Sequence, residues 1–346
     1  MSTYALLLAP SANRVYADAA SRLTQAELAA FAEAGVLDSA ISDAGEASMG
    51  GVPYVTFRGD LSDRDVAHLS NLSAAYALFC LQGGDLLRPV TLRPLARYDD
   101  DLITIPKYVG KTNEQFTRLL LNVTLLASAS APRMLDGGLT VLDPLCGRGT
   151  TLNQALMYGY DGIGVELDGK DVDAYAAFLR TWLKRKRLKH SAEITPVRRD
   201  RKLVARRFEA VLASTKDDYR AGDTQRVTVL HTDTTHARDF LKTGCADVIV
   251  ADAPYGVAHG SRTRENGLSR RPLDLLAAAA PGWAALLRPG GALGISWNTH
   301  VASREDAAKI FVDVGMQPID TPTYRGFGHW VDQAITRDIL VARKPV

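Results

Sequence analysis

The chain has 346 residues, 41 Lys+Arg against 39 Asp+Glu, and a formal net charge of +2. At roughly 100–200 residues per domain, this length suggests two domains. Its 46% hydrophobic and 23% charged residues exclude a disordered, collagenous or disulfide-rich protein.

In chain order, Tyr4–Ala9 is a short apolar run suited to a buried strand. It lacks the basic start of a signal peptide. Thr24-Gln-Ala-Glu27 has the pattern of a capping box opening a helix over Leu28–Ala34, with Gly35 as its stop. Ser39–Ser42 and Val52–Phe57 read as strands. Ser62 or Asp63 caps a helix expected to run to about Leu81, ended by Gly83-Gly84, and Val90–Leu95 is a further strand. The order β-α-β-β-α-β predicts a small α+β ferredoxin-like domain over residues 1–96. Residues 97–111, with Asp99-Asp100-Asp101, Pro106 and Gly110, read as a linker.

From residue 112 to 346 strands alternate with helices, the pattern of a mostly parallel sheet covered on both faces. A helix is predicted over Asn113–Ala127. Strands are predicted at Leu139–Asp143, Gly162–Glu166, Val227–His231, Asp247–Ala251, Ala292–Trp297, Pro318–Tyr324 and Ile339–Ala342. The longest apolar candidate for a membrane span, Leu275–Leu287, is short and carries Pro281 and Gly282. Cys80, Cys146 and Cys245 form no CxxC pair, so no zinc knuckle or disulfide framework is expected and a cytoplasmic setting is. His231, His236 and His259 have no metal spacing, and no metal site is expected.

Residues 184–226 are too long for a tight connection and read as a basic insertion. Between Arg180 and Arg226 there are 15 basic and 6 acidic residues. Residues 1–100 hold 7 Arg, no Lys and 12 acids. Charge is therefore segregated, which points to an anionic partner for one face. The plainer reading of such a run is a solvated helical surface.

Two segments carry chemistry. Val141-Leu-Asp143-Pro-Leu-Cys146-Gly147-Arg-Gly149-Thr150-Thr151 reads as a strand end, a glycine loop and a helix start. Gly147 and Gly149 let a ligand approach the backbone, and the helix start offers unpaired N–H groups. Glu166 ends the next strand, where a carboxylate can accept ribose hydroxyls. The third glycine of a nicotinamide fingerprint is missing, and Asp143 would repel a pyrophosphate while pairing with a cationic amino-acid moiety. Both features favour S-adenosylmethionine over a nicotinamide cofactor. The plainer alternative is a strand–helix turn that binds nothing.

The second segment, Val248-Ile-Val-Ala-Asp252-Ala253-Pro254-Tyr255-Gly256, puts an acid, a proline turn and an aromatic at a strand's C-terminal end. An exocyclic base amine is a poor nucleophile because its lone pair is delocalised into the ring. The Asp252 carboxylate and the Ala253 carbonyl could hold its N–H groups and turn the lone pair toward a sulfonium methyl. Tyr255 would stack the base, and catalysis would be orientation and electrostatics.

Asp143-Pro-Leu-Cys-Gly-Arg-Gly-Thr-Thr and Asp252-Ala-Pro-Tyr-Gly resemble the class I S-adenosylmethionine-dependent amino-methyltransferases of nucleic acids. The nearest resemblance is to the THUMP-associated tRNA guanine-N2 methyltransferases. Lys111-Thr-Asn-Glu-Gln-Phe-Thr-Arg-Leu-Leu-Leu-Asn122 is similar to the helix before their cofactor loop. The resemblance implies a doubly wound, Rossmann-like, seven-stranded methyltransferase sheet behind the ferredoxin-like domain. It implies cofactor contacts from Asp143, Cys146, Gly147, Gly149, Thr150, Glu166 and Asp233, the last to the adenine amine. Asp252, Ala253, Pro254 and Tyr255 would hold the target base, expected to be guanine N2 in tRNA. Ala253 stands where the family has a proline, which keeps the carbonyl acceptor and loses some preorganisation.

No separate THUMP domain fits between the two parts, and the acidic first hundred residues suit phosphates poorly. Nucleic-acid contacts are therefore expected from the basic insertion, Lys184 and Arg185 included, and from the Gly256–Pro272 loop with Arg262 and Arg264. The alternatives are a DNA adenine amino-methyltransferase, a small-molecule methyltransferase, or a non-catalytic cofactor-binding module whose insertion meets a protein partner. Tyr324, Phe327, His329 and Trp330 are expected to be core rather than pocket lining. No membrane association is expected.

Overall fold

The computed structural model describes every residue except 12–13, 84–85, 109–110 and 254–271. The first part contains β1 (Ser2–Leu8), α1 (Arg14–Glu33), β2 (Ser42–Met49), β3 (Val52–Gly59), α2 (Asp63–Leu69), β4 (Ala75–Gln82) and β5 (Leu86–Val90). Its antiparallel sheet has the order β2-β3-β1-β4-β5. Through β4 this is the expected β-α-β-β-α-β succession, with β5 as an added edge.

Several boundaries differ from expectation. Helix α1 begins at Arg14, so Thr24 lies inside it and returns its hydroxyl to Ala20 O at 2.7 Å instead of capping. The expected strand Ser39–Ser42 begins only at Ser42, because β2 is held by pairing with β3 rather than by its own small residues. Ser62 does cap α2, with Asp65 completing the box. That helix stops at Leu69, however, where the Ser70 and Asn71 side chains bond back to Val66 O and Ala67 O. The apolar run Ala75–Gln82, expected as helix, is β4 between β1 and β5. Short apolar runs carry no period that separates the two states. Residues 91–95 leave the sheet instead of forming a strand, and the Arg93 and Leu95 N–H groups donate to Ser70 Oγ and Asn71 Oδ1.

The second part contains α3 (Asp101–Thr104), α4 (Glu114–Leu126), β6 (Thr140–Asp143), α5 (Thr150–Met157), β7 (Asp161–Glu166), α6 (Gly169–Arg185), β8 (His190–Arg199) and β9 (Lys202–Leu212). It continues with α7 (Lys216–Ala221), β10 (Gln225–His231), β11 (Ala246–Asp252), α8 (Pro272–Leu286), β12 (Leu287–Asn298), α9 (Arg304–Asp313), β13 (Gln317–Pro318), β14 (His329–Asp332) and β15 (Ile335–Arg343). The sheet order is β13-β15-β12-β11-β6-β7-β10-β9-β8, with β14 on β15. Strands β12, β11, β6, β7 and β10 are mutually parallel, and β15 runs against β12.

The seven expected strands are present, though Pro318–Tyr324 shrinks to Gln317–Pro318. The sheet grows to ten because the basic insertion folds as the β8–β9 hairpin on the β10 edge and β14 adds to β15. The apolar strand runs alternate between two cores. Val248 and Val250 face the side covered by α4, α5 and α6, whereas Ile249 and Ala251 face α8 and α9. The sheet is thus doubly wound. Strand order reverses between β6 and β11, the position at which such sheets bind ligands.

The two sheets share one continuous core. Helix α1 packs on α4, and the Arg22 guanidinium donates to Gly326 O and Gly328 O. Between them lies Glu27, fully buried and raised above the usual carboxyl range by that burial. It accepts from Ser73 N at 2.9 Å, Ser73 Oγ at 2.6 Å and Asn122 Nδ2 at 2.7 Å.

Residues 97–108 climb the covered face of the large sheet, and 111–112 lie at its top. Arg97 N–H bonds Met157 O at the foot of α5, and Asp99 and Asp101 pair with Lys186. At the top, Tyr108 reaches Thr150 and Thr112 reaches Asp252. Among the described residues no helix is long and apolar enough to cross a membrane.

Candidate active site

The loop after β6 turns sharply because two glycines adopt left-handed backbone, Gly147 at φ +48 and Gly149 at φ +79. Their reasons differ. A Cβ on Gly149 would stand 2.4 Å from the Tyr175 ring, so this glycine serves packing of the loop on α6. A Cβ on Gly147 would meet nothing within 4 Å, so this backbone borders open space where a ligand can approach. Cys146 is also structural. Its buried sulfur packs against Gly164, and burial pushes its thiol well above the usual range, away from nucleophilic chemistry.

Asp143 ends β6 and is buried. Burial raises its carboxyl to about 7, and the nearby Asp252 and Glu166 charges add to the shift. Bonds from the Leu145 N–H at 3.0 Å and from Thr151 oppose it. A cationic ligand group would reverse the penalty. Glu166 accepts from Gly147 N at 2.8 Å and from Asp168 N at 2.7 Å, so it holds the glycine loop as well as facing it. Its carboxyl is raised, chiefly by burial. Asp233, after β10, accepts on Oδ1 from Thr235 N and Thr235 Oγ1 and caps a short 3-10 turn.

The open backbone at Gly147, the uncompensated buried acid and two further carboxylates along neighbouring strand ends fit S-adenosylmethionine. Asp143 would take its ammonium, Glu166 its ribose and Asp233 its adenine amine.

Asp252 ends β11, next to β6. Thr112 Oγ1 donates to its Oδ2 and Ser296 Oγ to its Oδ1, both at 2.5 Å. Register explains Ser296, which lies directly opposite Asp252 on β12. Ala253 continues the pairing, its N–H donating to Ser296 O at 2.9 Å, which fixes its peptide. Thr112 immediately precedes Asn113, the N-cap of α4, whose side chain binds Gln115 N and Phe116 N. Pro254, Tyr255, Arg262 and Arg264 lie outside the described residues.

Asp143, Cys146, Gly147, Gly149, Thr150, Glu166, Asp233, Asp252 and Ala253 gather along the C-terminal edge of the parallel strands. Lys184 and Arg185 do not. They close α6, which leaves this edge at Gly169 and runs 17 residues, roughly 25 Å, toward the opposite one.

Sequence reasoning missed Tyr108, Thr112, Arg148 and Ser296. Arg148 pairs with Asp171 at 2.7 Å and lies 5.0 Å above the Tyr108 ring, whose hydroxyl bonds Thr150 Oγ1 at 2.8 Å. No motif spacing announces such pairs, because only the climb of residues 97–108, the position of Thr112 and the β11–β12 register create them. Tyr324, Phe327 and His329 are core, as expected. Burial lowers the His329 imidazole to about 4, while Trp330 is 55% exposed. Among the described residues no group of three His, Cys, Asp or Glu could hold a metal ion.

Residues 126–292 match the family model described as "UPF0020: RMKL-like, methyltransferase domain". Similar solved structures include TrmN from Thermus thermophilus, 14% identical, covering 99% of this chain and 100% of that one with a TM-score of 0.43. A TehB-like SAM-dependent methyltransferase from Corynebacterium glutamicum is 15% identical over 62% and 86% of the two chains, TM-score 0.33. The 1,6-didemethyltoxoflavin-N1-methyltransferase of Burkholderia thailandensis, solved with S-adenosylhomocysteine, is 16% identical over 64% and 77%, TM-score 0.37. No curated protein sequence matches the chain.

Proposed function

Given that residues 126–292 match the RMKL-like methyltransferase domain model, we propose that this S-adenosylmethionine-dependent methyltransferase modifies an exocyclic base amine in RNA, with guanine N2 in tRNA as its target, in the cytoplasm. One observation carries the reading. A carboxylate clamped by two hydroxyls, Asp252, and the anchored carbonyl-bearing residue Ala253 stand beside the cofactor strand β6.

When bound, S-adenosylmethionine supplies a methyl group activated on a sulfonium. Asp143, Glu166 and Asp233 orient it along the strand ends. Asp252 and the Ala253 carbonyl accept the two amine N–H groups and hold the nitrogen lone pair in line with the methyl. As the nitrogen becomes cationic, the Asp252 carboxylate stabilises the charge and is placed to receive the proton. Pro254 and Tyr255 complete the tetrad, with Tyr255 stacking the base.

The test is transfer of a labelled methyl group to separated tRNA, rRNA and genomic DNA, followed by nucleoside mass spectrometry. N2-methylguanosine in tRNA is expected. N6-methyladenine in DNA, or no labelled nucleic acid, would overturn the assignment.

A further inference from the structure

We infer that the tip of the β8–β9 hairpin is a phosphate grip. Arg198, Arg201 and Lys202 hold the backbone of the nucleic-acid substrate on the edge of the sheet that carries Asp252, and Lys184 and Arg185 take no part. The inference rests on the nucleic-acid reading above and assigns the surface that serves it.

Strand register places the tip. Pairing of β9 with β10 ends at Arg206↔His231, and His231 is level with Glu166 on β7. Lys202–Ala205 therefore continue past the parallel strands, roughly 13 Å at about 3.3 Å per residue. Val197–Arg199 follow on the other arm. The cations stand above the ligand edge rather than beside the sheet. From β11 to β9 the sheet has four strand steps, about 19 Å. A strand of nucleic acid rising about 3.4 Å per nucleotide spans that distance in roughly six nucleotides.

The tip is braced. Arg199 Nη2 donates to Asp239 O at 3.1 Å, and its guanidinium lies 6.0 Å from the Phe240 ring, tying the hairpin to the segment after β10. Arg198 bonds across the turn to Arg201 O. All residues from Arg198 to Val204 are exposed, and Asp200 is the one acid among them.

The turn keeps a cation at the apex. Asp200 and Arg201 both have positive φ, +50 and +64, the backbone of a two-residue hairpin that favours Asn-Gly. A chain shaped by the turn alone would put glycine at 201. Here an arginine bears the left-handed strain and carries its charge at the apex, and such strain is retained where a residue works.

The experiment measures full-length protein binding to unfractionated tRNA across roughly 50–200 mM salt. Replacing all three cations (Arg198→Ala, Arg201→Gly, Lys202→Ala) should weaken binding about tenfold or more and lower the salt slope by about two to three. The Lys184→Ala/Arg185→Ala pair should leave the slope unchanged. Arg201→Gly alone should lower the slope by about one while raising the thermal midpoint, opposite signs that a damaged fold cannot produce. Cofactor affinity should be the same in every variant. An unchanged slope in the triple variant, or an equal loss in the Lys184/Arg185 pair, overturns the inference alone. A parent protein that binds neither RNA nor DNA overturns the substrate reading and the inference with it.

Discussion

Asp143 and Asp252 end neighbouring parallel strands, yet their surroundings are opposite. Asp143 is buried near the like charges of Asp252 and Glu166, and despite bonds from the Leu145 N–H and Thr151 its carboxyl is raised to about 7. Asp252 is held on both oxygens by hydroxyls from two different elements. On the proposed reading, one corner gains from the arrival of a cation and the other is already held in the geometry it would use. An active site can thus combine a corner that binding completes with one that folding completes.

The contrast breaks most visibly at Asp252. Asp252→Ala should lower the rate of methyl transfer about 10³-fold while leaving cofactor affinity within about twofold, the charged-ligand work being done at Asp143. Parallel turnover assays and calorimetry check this, and an equal loss of cofactor binding would merge the two corners into one.

Asp143→Ala should weaken S-adenosylmethionine binding by about 10- to 100-fold, the range for a lost hydrogen bond to a charged group. The pH dependence has a defined sign. Only ionised Asp143 pairs with the ammonium, so affinity should fall as pH drops through about 7, with proton release on binding at pH 6. Asp143→Asn should flatten that profile in calorimetry. In the cofactor-free protein, the folded state keeps a proton that the unfolded chain has released. The stabilisation is present below the ordinary carboxyl range and lost as pH rises through about 7.

The smallest effect sharpens the other corner. Thr112→Val and Ser296→Ala should each reduce kcat about tenfold without changing cofactor affinity, since each removes one hydroxyl that orients Asp252. Thr112→Ser should restore most of the rate. A change in substrate KM with kcat intact would instead place these hydroxyls in binding.

The legible parts of the molecule were those where local chemistry and global fold agree. Leu139–Asp143 is an apolar run ending in an acid and Asp247–Ala251 one followed directly by an acid, and both lie where the pattern puts them, as does the Asn113-capped helix α4. Ala75–Gln82 was illegible because a short apolar run has no period to betray a strand. Thr24 misled because a capping pattern also occurs inside helices, where the hydroxyl simply bonds back one turn. At the site, the carboxylates and glycines announced themselves through strand-end spacing, but Thr112 and Ser296 depend on long-range register, 140 and 44 positions from Asp252. The charge run at 184–226 was visible as composition. Its division into a tip above the site and a far end at Lys184 and Arg185 required the fold.

Glu27 has a last consequence. Its buried carboxyl is satisfied by Ser73 on its own side and by Asn122 of α4 on the other. Pulling the two sheets apart would strand that acid and uncover the apolar faces of α1 and α4 together, so neither part has an inexpensive partly unfolded form. Calorimetry should therefore show one unfolding transition for both sheets, and two separated transitions would show that the Glu27 contact does not couple them.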